Sequence, residues 1–320
     1  VLESMLDEAA QASMIALMQP GRLILQTPNK AELTAQLAST QMPQSTNTNS
    51  LSLVAYMLSM QRAKHWLRSA YLIISSFVYF LIIMQERYAG DIHDFFKINF
   101  LEFISNGLRQ KIGLNWYLAK PELIGVSELK KKDGEKRKYL ESPEFIKINP
   151  DLIEELKIFK SMQNRRINKF STIPKFNNFL KFYNSALPLK NREKWFNKSL
   201  IFFKDLENIF LDPDNGISFK ELGKKNIKYL KLQELCQYYA NGKTITFTQF
   251  QSFNLSYKEY LKKIFWHLNR HGLRTDYPVI RNRTGPNTFY ITVGKIKNNK
   301  YESLIKSYAQ TFVRVELVIL

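Results

Sequence analysis

The chain has 320 residues, 45% of them hydrophobic, so it can bury a sizeable core and is predicted to form two or three domains. Its net charge of +19 points to an anionic partner, either nucleic acid or an anionic membrane surface. The single cysteine, Cys236, excludes an internal disulfide and a cysteine-based zinc site.

Residues 1–50 are predicted to be an N-terminal helical segment followed by a polar linker. Leu2 to Met18 and Lys30 to Leu37 have helical patterns, and residues 38–50 (ASTQMPQSTNTNS) carry no charge, which is typical of a linker. Residues 1–61 contain two basic and four acidic residues, a net charge of −2, whereas the remainder contains 45 and 24, a net charge of +21. The basic character therefore belongs to the later domains.

Residues 51–142 are predicted to form an apolar helical region. Its stretch from Ser69 to Met84 has sixteen residues without a charge, whereas a membrane-spanning helix usually needs about 20. We therefore favour a buried core helix over a membrane span. The membrane alternative stays open, because basic residues near both ends set no clear orientation. The charge run Leu129 to Lys138 predicts an exposed turn.

Residues 143–223 are predicted to be an aromatic-rich, basic helical domain. Helices are expected from Pro150 to Met162, from Pro174 to Tyr183 and from Arg192 to Phe210. The sequence DPDNG, from Asp212 to Gly216, predicts the turn that closes this domain. Its acidic spacing is superficially that of a calcium loop, but position twelve is Gly223 rather than glutamate, so we reject that interpretation.

The region from 224 to 294 has a distinctive order of elements. A helix is predicted from Asn226 to Tyr239, followed by the short strand KTITF and a short helix from Thr248 to Phe253. Ser256 and Glu259 then form a capping box that begins a helix from Tyr257 to His271. The β-rich runs Tyr277 to Arg283 and Thr288 to Val293 predict a hairpin.

This order of helix, strand, short helix, turn, helix and hairpin resembles the winged helix-turn-helix family of nucleic-acid-binding domains. The resemblance covers about a fifth of the chain and implies three helices with a β-hairpin wing. Together with the helical patterns upstream, it leads us to expect a mainly α, multi-domain protein whose last domain, residues 224–320, is a winged helix.

The helix that begins at Tyr257 separates into two faces at ~100° per residue. Its core face is predicted to be Tyr257, Leu261, Ile264, Phe265 and Leu268. The opposite face is predicted to be Lys258, Lys262, Lys263, Trp266, Asn269 and Arg270. The winged-helix resemblance implies that this second face enters the major groove, with Arg281 and Arg283 in the wing and Arg274 at its root. A solvated basic surface or a protein-binding module is the alternative.

Other patterns give weaker indications. His267 and His271 have the spacing of a two-histidine metal face, but no third ligand is evident nearby. His93-Asp94 is a doublet found in some metal-dependent phosphohydrolases, but only His65 is within reach in sequence as a further ligand. Asp214 and Glu316 are weak candidates for a nuclease metal site. No phosphate-binding glycine motif or nucleophile elbow occurs, so no cofactor, metal or catalytic residue is predicted.

The tail is predicted to contain a helix from Tyr301 to Gln310 and a β-rich run from Thr311 to Leu320. An apolar strand of this kind needs a partner, either within the chain or in a second copy, which makes a homodimer an open possibility.

We therefore expect a nucleic-acid-binding protein, with duplex DNA favoured over RNA. Its expected role is regulation, or the initiation of replication or transfer, in a mobile or AT-rich genome, and it would be cytoplasmic or nucleoid-associated. Two alternatives stay open: an RNA-binding structural component of an organellar ribosome or similar assembly, and a membrane-anchored interaction protein with Ser69 to Met84 as its anchor.

Overall fold

The structure, a computed structural model, describes residues 86–125 and 136–320. All described residues belong to a single compact unit. The predictions for residues 1–85, including the apolar stretch Ser69 to Met84, and most of the charge run after Leu129 lie outside the described residues. Within the two described ranges, no helix combines the length and the apolar character that crossing a bilayer requires.

A mixed seven-stranded sheet is the centre of the described fold. Its strands lie in the order β2-β1-β3-β6-β8-β7-β9. The strands β2, β1, β3 and β6 pair in parallel with one another in that order. The next three pairs are antiparallel: β6 with β8, β8 with β7, and β7 with β9. The strands are β1 (Ile112–Asn115), β2 (Leu180–Tyr183), β3 (Asn208–Leu211), β6 (Thr244–Phe250), β7 (Val279–Asn282), β8 (Thr288–Gly294) and β9 (Val315–Val318), and β4 (Ile217–Ser218) and β5 (Leu230–Lys231) form a separate parallel pair.

Helices cover both faces of the sheet. The α-helices are α1 (Ile92–Leu108), α2 (Pro121–Ile124), α3 (Pro143–Ile148), α4 (Pro150–Leu156), α5 (Pro174–Phe179), α6 (Arg192–Phe202), α7 (Leu232–Ala240), α8 (Tyr257–Arg270) and α9 (Asn299–Thr311). Short 3-10 helices occur at Glu86–Tyr88, Lys138–Glu141, Lys157–Lys160, Met162–Asn164, Ile167–Thr172 and Gly223–Lys228. One face of the sheet packs against α1, α3, α4, α5 and α9, and the other packs against α6, α7 and α8.

The alternation of side chains along each strand produces these two cores. On β3, Ile209 and Leu211 belong to one core and Phe210 belongs to the other. A parallel strand that is covered on both faces is apolar at nearly every position. The fold is therefore a three-layer α/β arrangement. The strand β1 lies in the interior of the sheet, with β2 as its neighbour on one side and β3 as its neighbour on the other.

The prediction of a mainly α protein is wrong, because the extended seven-stranded mixed sheet makes this an α/β fold. The strands β1 and β3 are only four residues long, and all of their residues are buried. Short apolar runs of this kind cannot be distinguished from buried helix by periodicity. For example, the predicted helix from Arg192 to Phe210 is the helix Arg192–Phe202, a turn, and then the strand that begins at Asn208.

The predicted winged helix is also wrong. The short helix expected from Thr248 to Phe253 does not form, because β6 continues to Phe250 and pairs with β8 over seven residues. The hairpin after Gly272 exists as β7 and β8, but both strands lie inside the large sheet and do not form a separate wing. The last strand, Val315–Val318, pairs with β7 of the same chain.

Candidate functional site

The carboxyl ends of β1, β3 and β6 meet at one edge of the sheet, called here the carboxyl edge. Asp212 follows β3 directly, and its backbone N–H donates to the carbonyl of Asn115 at the end of β1, with a distance of 2.8 Å. The second turn of α1 lies beside this edge, because Lys97 pairs with Asp212. Carboxylates at a helix N-terminus are favoured by the helix dipole, and Asp91 caps α1.

A buried ionic cluster joins α1 to the carboxyl edge. The Lys97 ammonium lies 2.6 Å from Asp94 Oδ1 and 2.5 Å from Asp212 Oδ2. The Thr248 hydroxyl, on β6, donates to Asp212 Oδ1 at 2.8 Å. The ring of Trp116, immediately after β1, lies 4.4 Å from the ammonium. We call Asp94, Lys97, Asp212, Thr248 and Trp116 the carboxyl-edge cluster.

Charge balance perturbs the titration of this cluster. Burial by itself lowers the pKa of Lys97, but the carboxylates of Asp212 and Asp94 outweigh burial and hold that pKa above its usual range. Burial also raises the pKa of Asp212, although the ammonium and Thr248 oppose the rise. Burial and the nearby Asp94 carboxylate raise the pKa of Asp91 to about 7. Lys97 is therefore a permanent cation, while Asp91 changes its charge near neutral pH.

His93, next to the cluster, stays neutral. Burial, with the positive charges of Lys136 and Lys97, lowers its pKa to about 3. Its ring packs edge-on against Phe250, with 5.5 Å between the ring centroids. In residues 86–125 and 136–320, no group of three histidine, cysteine, aspartate or glutamate side chains is arranged to hold a metal ion.

A second buried network lies on the other face of β1. Arg192 on α6 binds both carboxylate oxygens of Glu234 on α7, at 2.6 and 2.8 Å. The same carboxylate accepts the Tyr117 hydroxyl at 3.2 Å. Tyr117 has a φ of +48°, a backbone conformation that is uncommon for a residue with a side chain. Both networks therefore fix the segment that leaves β1 at the carboxyl edge.

The carboxyl-edge cluster is not predicted by the sequence. Lys97 and Asp212 are far apart in the chain, and the DPDNG sequence predicts a turn after its resemblance to a calcium loop is rejected. The available signals were two: acidic residues around a helix start at Gly90 to Asp94, and an acidic turn directly after an apolar run. Recognition of that run as a parallel strand would have placed Asp212 at a ligand-binding edge.

The nine residues predicted to bind nucleic acid lie in two places. The face of α8 with Lys258, Lys262, Lys263, Trp266, Asn269 and Arg270 is exposed, as predicted. Opposite it, Leu261, Ile264 and Leu268 are buried, and Tyr257 and Phe265 are partly buried. We call the exposed set the α8 basic face. Arg274 is exposed in the loop after α8.

The two arginines assigned to a wing lie on or beside β7. Arg281 pairs with Glu316 of β9 at 2.8 Å and lies 4.1 Å from the Tyr257 ring. Arg283 is exposed and lies 3.4 Å from the same carboxylate. Their charges are therefore partly neutralised within the sheet, and the strongest unneutralised cationic surface among the predicted residues is the α8 basic face.

No family model matches the chain, and no curated protein or solved structure is detectably similar to it.

Proposed function

We propose that this chain binds nucleic acid through the α8 basic face, chiefly by contacts to the phosphate backbone. The observation that carries the proposal is the exposure of four cations on this face and their lack of carboxylate partners. These cations are Lys258, Lys262, Lys263 and Arg270. All are exposed, and none forms an ion pair with a carboxylate of the described residues. The one acid of α8, Glu259, is held in the capping box by Ser256.

The aromatic part of this face suits a nucleic acid better than a simple anion. Trp266 is 53% exposed, and the Arg270 guanidinium lies 4.7 Å from its ring. A base can stack on an exposed indole or guanidinium, and the guanidinium also binds phosphate. Such contacts do not depend strongly on sequence, so the proposed binding is mainly backbone recognition.

The two histidines of α8 have structural partners. The His267 ring stacks on Phe219 with 4.3 Å between centroids, and a ring nitrogen of His271 lies 2.8 Å from the His267 carbonyl. Burial and the adjacent Lys263 lower the pKa of His267, which favours the neutral form of this side chain. The cationic character of the face therefore comes from its lysines and arginine.

The proposal is tested by charge reversal on the face and elsewhere. Affinity for labelled duplex DNA, single-stranded DNA and RNA is measured by fluorescence anisotropy for the wild type and for Lys262→Glu/Lys263→Glu. We expect the variant to lose about tenfold or more, because two phosphate contacts become repulsive. The matched control is Lys147→Glu/Lys300→Glu, two exposed lysines on elements of the opposite layer. Equal losses in both variants would mean that net charge, and not this face, determines binding.

A further inference from the structure

A row of planar side chains runs across one side of α8. The Phe219 ring stacks on the His267 ring, with 4.3 Å between the centroids and 16° between the planes. The Trp266 ring meets the same histidine edge to face, with 4.7 Å between the centroids. The Arg270 guanidinium lies 4.7 Å from the Trp266 ring. These four side chains form a continuous surface of π systems, which we call the α8 stacking row.

One end of the α8 stacking row is open to solvent. Trp266 is 53% exposed and Arg270 is exposed, whereas Trp116 and Trp195 are only 3% and 5% exposed. A second ring, that of Phe253, lies in the turn before α8 and is 83% exposed. Rings that the fold leaves uncovered retain apolar surface that a ligand can cover. The chain therefore places two such rings at the helix that carries the α8 basic face.

Planar side chains beside cations match the chemistry of unpaired nucleotides. Every base has a π face that stacks on an aromatic ring or on a guanidinium, and each nucleotide also brings a phosphate. Lys262 and Lys263 precede Trp266 by one helical turn, so they lie on the same side of α8 as its ring. A phosphate can therefore contact these lysines while a neighbouring base stacks on the row.

The accessibility of base faces distinguishes a single strand from a duplex. In a duplex each base face is covered by the next base of the stack, so a protein reaches only the base edges and the backbone. In a single strand the faces are accessible, and stacking on aromatic side chains contributes much of the affinity. The α8 stacking row therefore has contacts to make with a single strand that an undistorted duplex does not offer.

The surroundings of α8 also disfavour insertion into a major groove. A helix with its side chains is about 10–12 Å across, and the groove is about 12 Å wide, so the groove admits one helix and little more. Phe219 packs against the side of α8 and also against the core below it. The helix does not project alone, and its surface suits a strand that lies across it.

We propose that the α8 basic face binds single-stranded nucleic acid, with an unpaired base stacked on Trp266 and Arg270 and the adjoining phosphates held by Lys262 and Lys263. This inference rests on the proposed function and deepens it, because it names the form of nucleic acid that is bound. Strands of DNA and of RNA share the chemistry that it requires, a base face beside a phosphate. Phe253 offers a second ring for a base at the start of α8.

The test compares one oligonucleotide of mixed sequence in three forms. These are a DNA strand, the same strand annealed to its complement, and the corresponding RNA strand. Fluorescence anisotropy gives the affinity of the full chain for each form at the same salt concentration. We expect both single strands to bind tighter than the duplex by about fivefold or more, because stacking of one base contributes at least that much.

Substitution of Trp266 tests the stacking contact. Trp266→Ala should weaken binding of the DNA strand by about fivefold or more and binding of the duplex by less, so the preference for the single strand narrows. Trp266→Phe keeps an aromatic face and should retain most of the affinity. The matched control is Met162→Ala, because Met162 is 54% exposed and lies outside α8. This control should bind all three forms as the wild type does.

Tryptophan emission gives a second readout, which does not depend on affinity. A base that stacks on an indole changes the fluorescence of that indole. At saturation, the DNA strand should therefore quench the emission of the wild type more than that of Trp266→Phe. The difference between the two proteins reports the contact at Trp266.

Three results overturn the inference: a duplex that binds as tightly as the single strands, full single-strand affinity in Trp266→Ala, or equal quenching in the wild type and Trp266→Phe. If circular dichroism shows that Trp266→Ala does not fold, the ranking of the three forms and the quenching decide. The proposed function fails separately, when Lys262→Glu/Lys263→Glu loses no more affinity than Lys147→Glu/Lys300→Glu. Loss of binding in that first variant, with no effect of either Trp266 substitution, leaves the proposed function intact and removes the single-strand preference.

Discussion

Replacement of Lys97 by methionine tests the carboxyl-edge cluster as an energetic unit. Methionine retains most of the length and apolar volume of the side chain, but the ammonium that lies 2.6 Å from Asp94 and 2.5 Å from Asp212 is lost. Both carboxylates are then buried without their cation. Removal of one partner from a buried ion pair costs about 3–5 kcal/mol. That is a large fraction of a total stability of about 5–15 kcal/mol.

The cost of this substitution should depend on pH. In the variant, burial still raises the folded-state pKa of Asp212, and the ammonium that opposes this rise in the wild type is gone, so that pKa lies above the unfolded value of about 3.9. A carboxyl group whose pKa is raised by folding stabilises the folded state at low pH, and this stabilisation is lost as pH rises through the folded pKa. The loss in the free energy of unfolding of Lys97→Met relative to the wild type should therefore be greatest near pH 8. Near pH 5 this loss should be smaller by about 1 kcal/mol or more.

Urea denaturation followed by circular dichroism measures this deficit at both pH values. Lys157→Met is a matched control, because Lys157 also pairs with an acid three residues earlier, Glu154, but the side chains are 41% and 69% exposed. The control should cost less than about 1 kcal/mol at either pH. A loss in Lys97→Met no larger than the control, or one that is the same at both pH values, would refute the account of the cluster.

Three other substitutions have definite expectations. Asp91→Asn keeps the helix cap but removes a carboxyl group whose pKa is about 7. The stability of this variant relative to the wild type, measured by urea denaturation, should therefore increase by on the order of 4 kcal/mol from about pH 4 to pH 7. A difference that does not depend on pH would contradict this. Gly216→Ala should lower the free energy of unfolding by about 1–3 kcal/mol, because a Cβ there would lie 2.2 Å from a side-chain oxygen and φ is +85°. Gly223→Ala, where φ is +58° and the surroundings are open, should lower it less. Equal melting temperatures of the two variants would contradict this. Arg192→Lys, in a buried two-oxygen ion pair, should cost about 2 kcal/mol, against less than about 1 kcal/mol for Arg314→Lys in an exposed one.

The best-predicted element is α8, because its signals are local. The Ser256 hydroxyl accepts from the Glu259 backbone, and the Glu259 carboxylate accepts from the Ser256 backbone, as the capping box predicts. The helix ends at Arg270, one residue before the predicted end. Its buried and exposed faces also follow the sequence, since a surface helix displays its packing as a period of 3.6 residues.

The interior of the sheet could not be predicted in the same way. The side chains of Thr246 and Thr248 on β6 are buried and form hydrogen bonds to other elements. The Thr246 hydroxyl lies 2.9 Å from the Thr292 hydroxyl, and the Thr248 hydroxyl donates to the Asp212 carboxylate. The sequence predicts a short strand that contains Thr246 and a short helix that begins at Thr248, but it does not predict that these hydroxyls are buried. Their partners come from distant parts of the chain, so only the tertiary fold reveals that they form a polar row leading to the carboxyl edge.

The salt dependence of nucleic-acid binding tests the central claim most directly. If four cations of the α8 basic face contact phosphates, the logarithm of the affinity for duplex DNA should fall with the logarithm of salt concentration with a slope of about −3.6, at roughly 0.9 per contact. Lys262→Glu/Lys263→Glu should reduce the magnitude of that slope by about 1.8 or more, whereas Lys147→Glu/Lys300→Glu should leave it unchanged. A slope near zero for the wild type, or the same slope in all three proteins, would contradict the account.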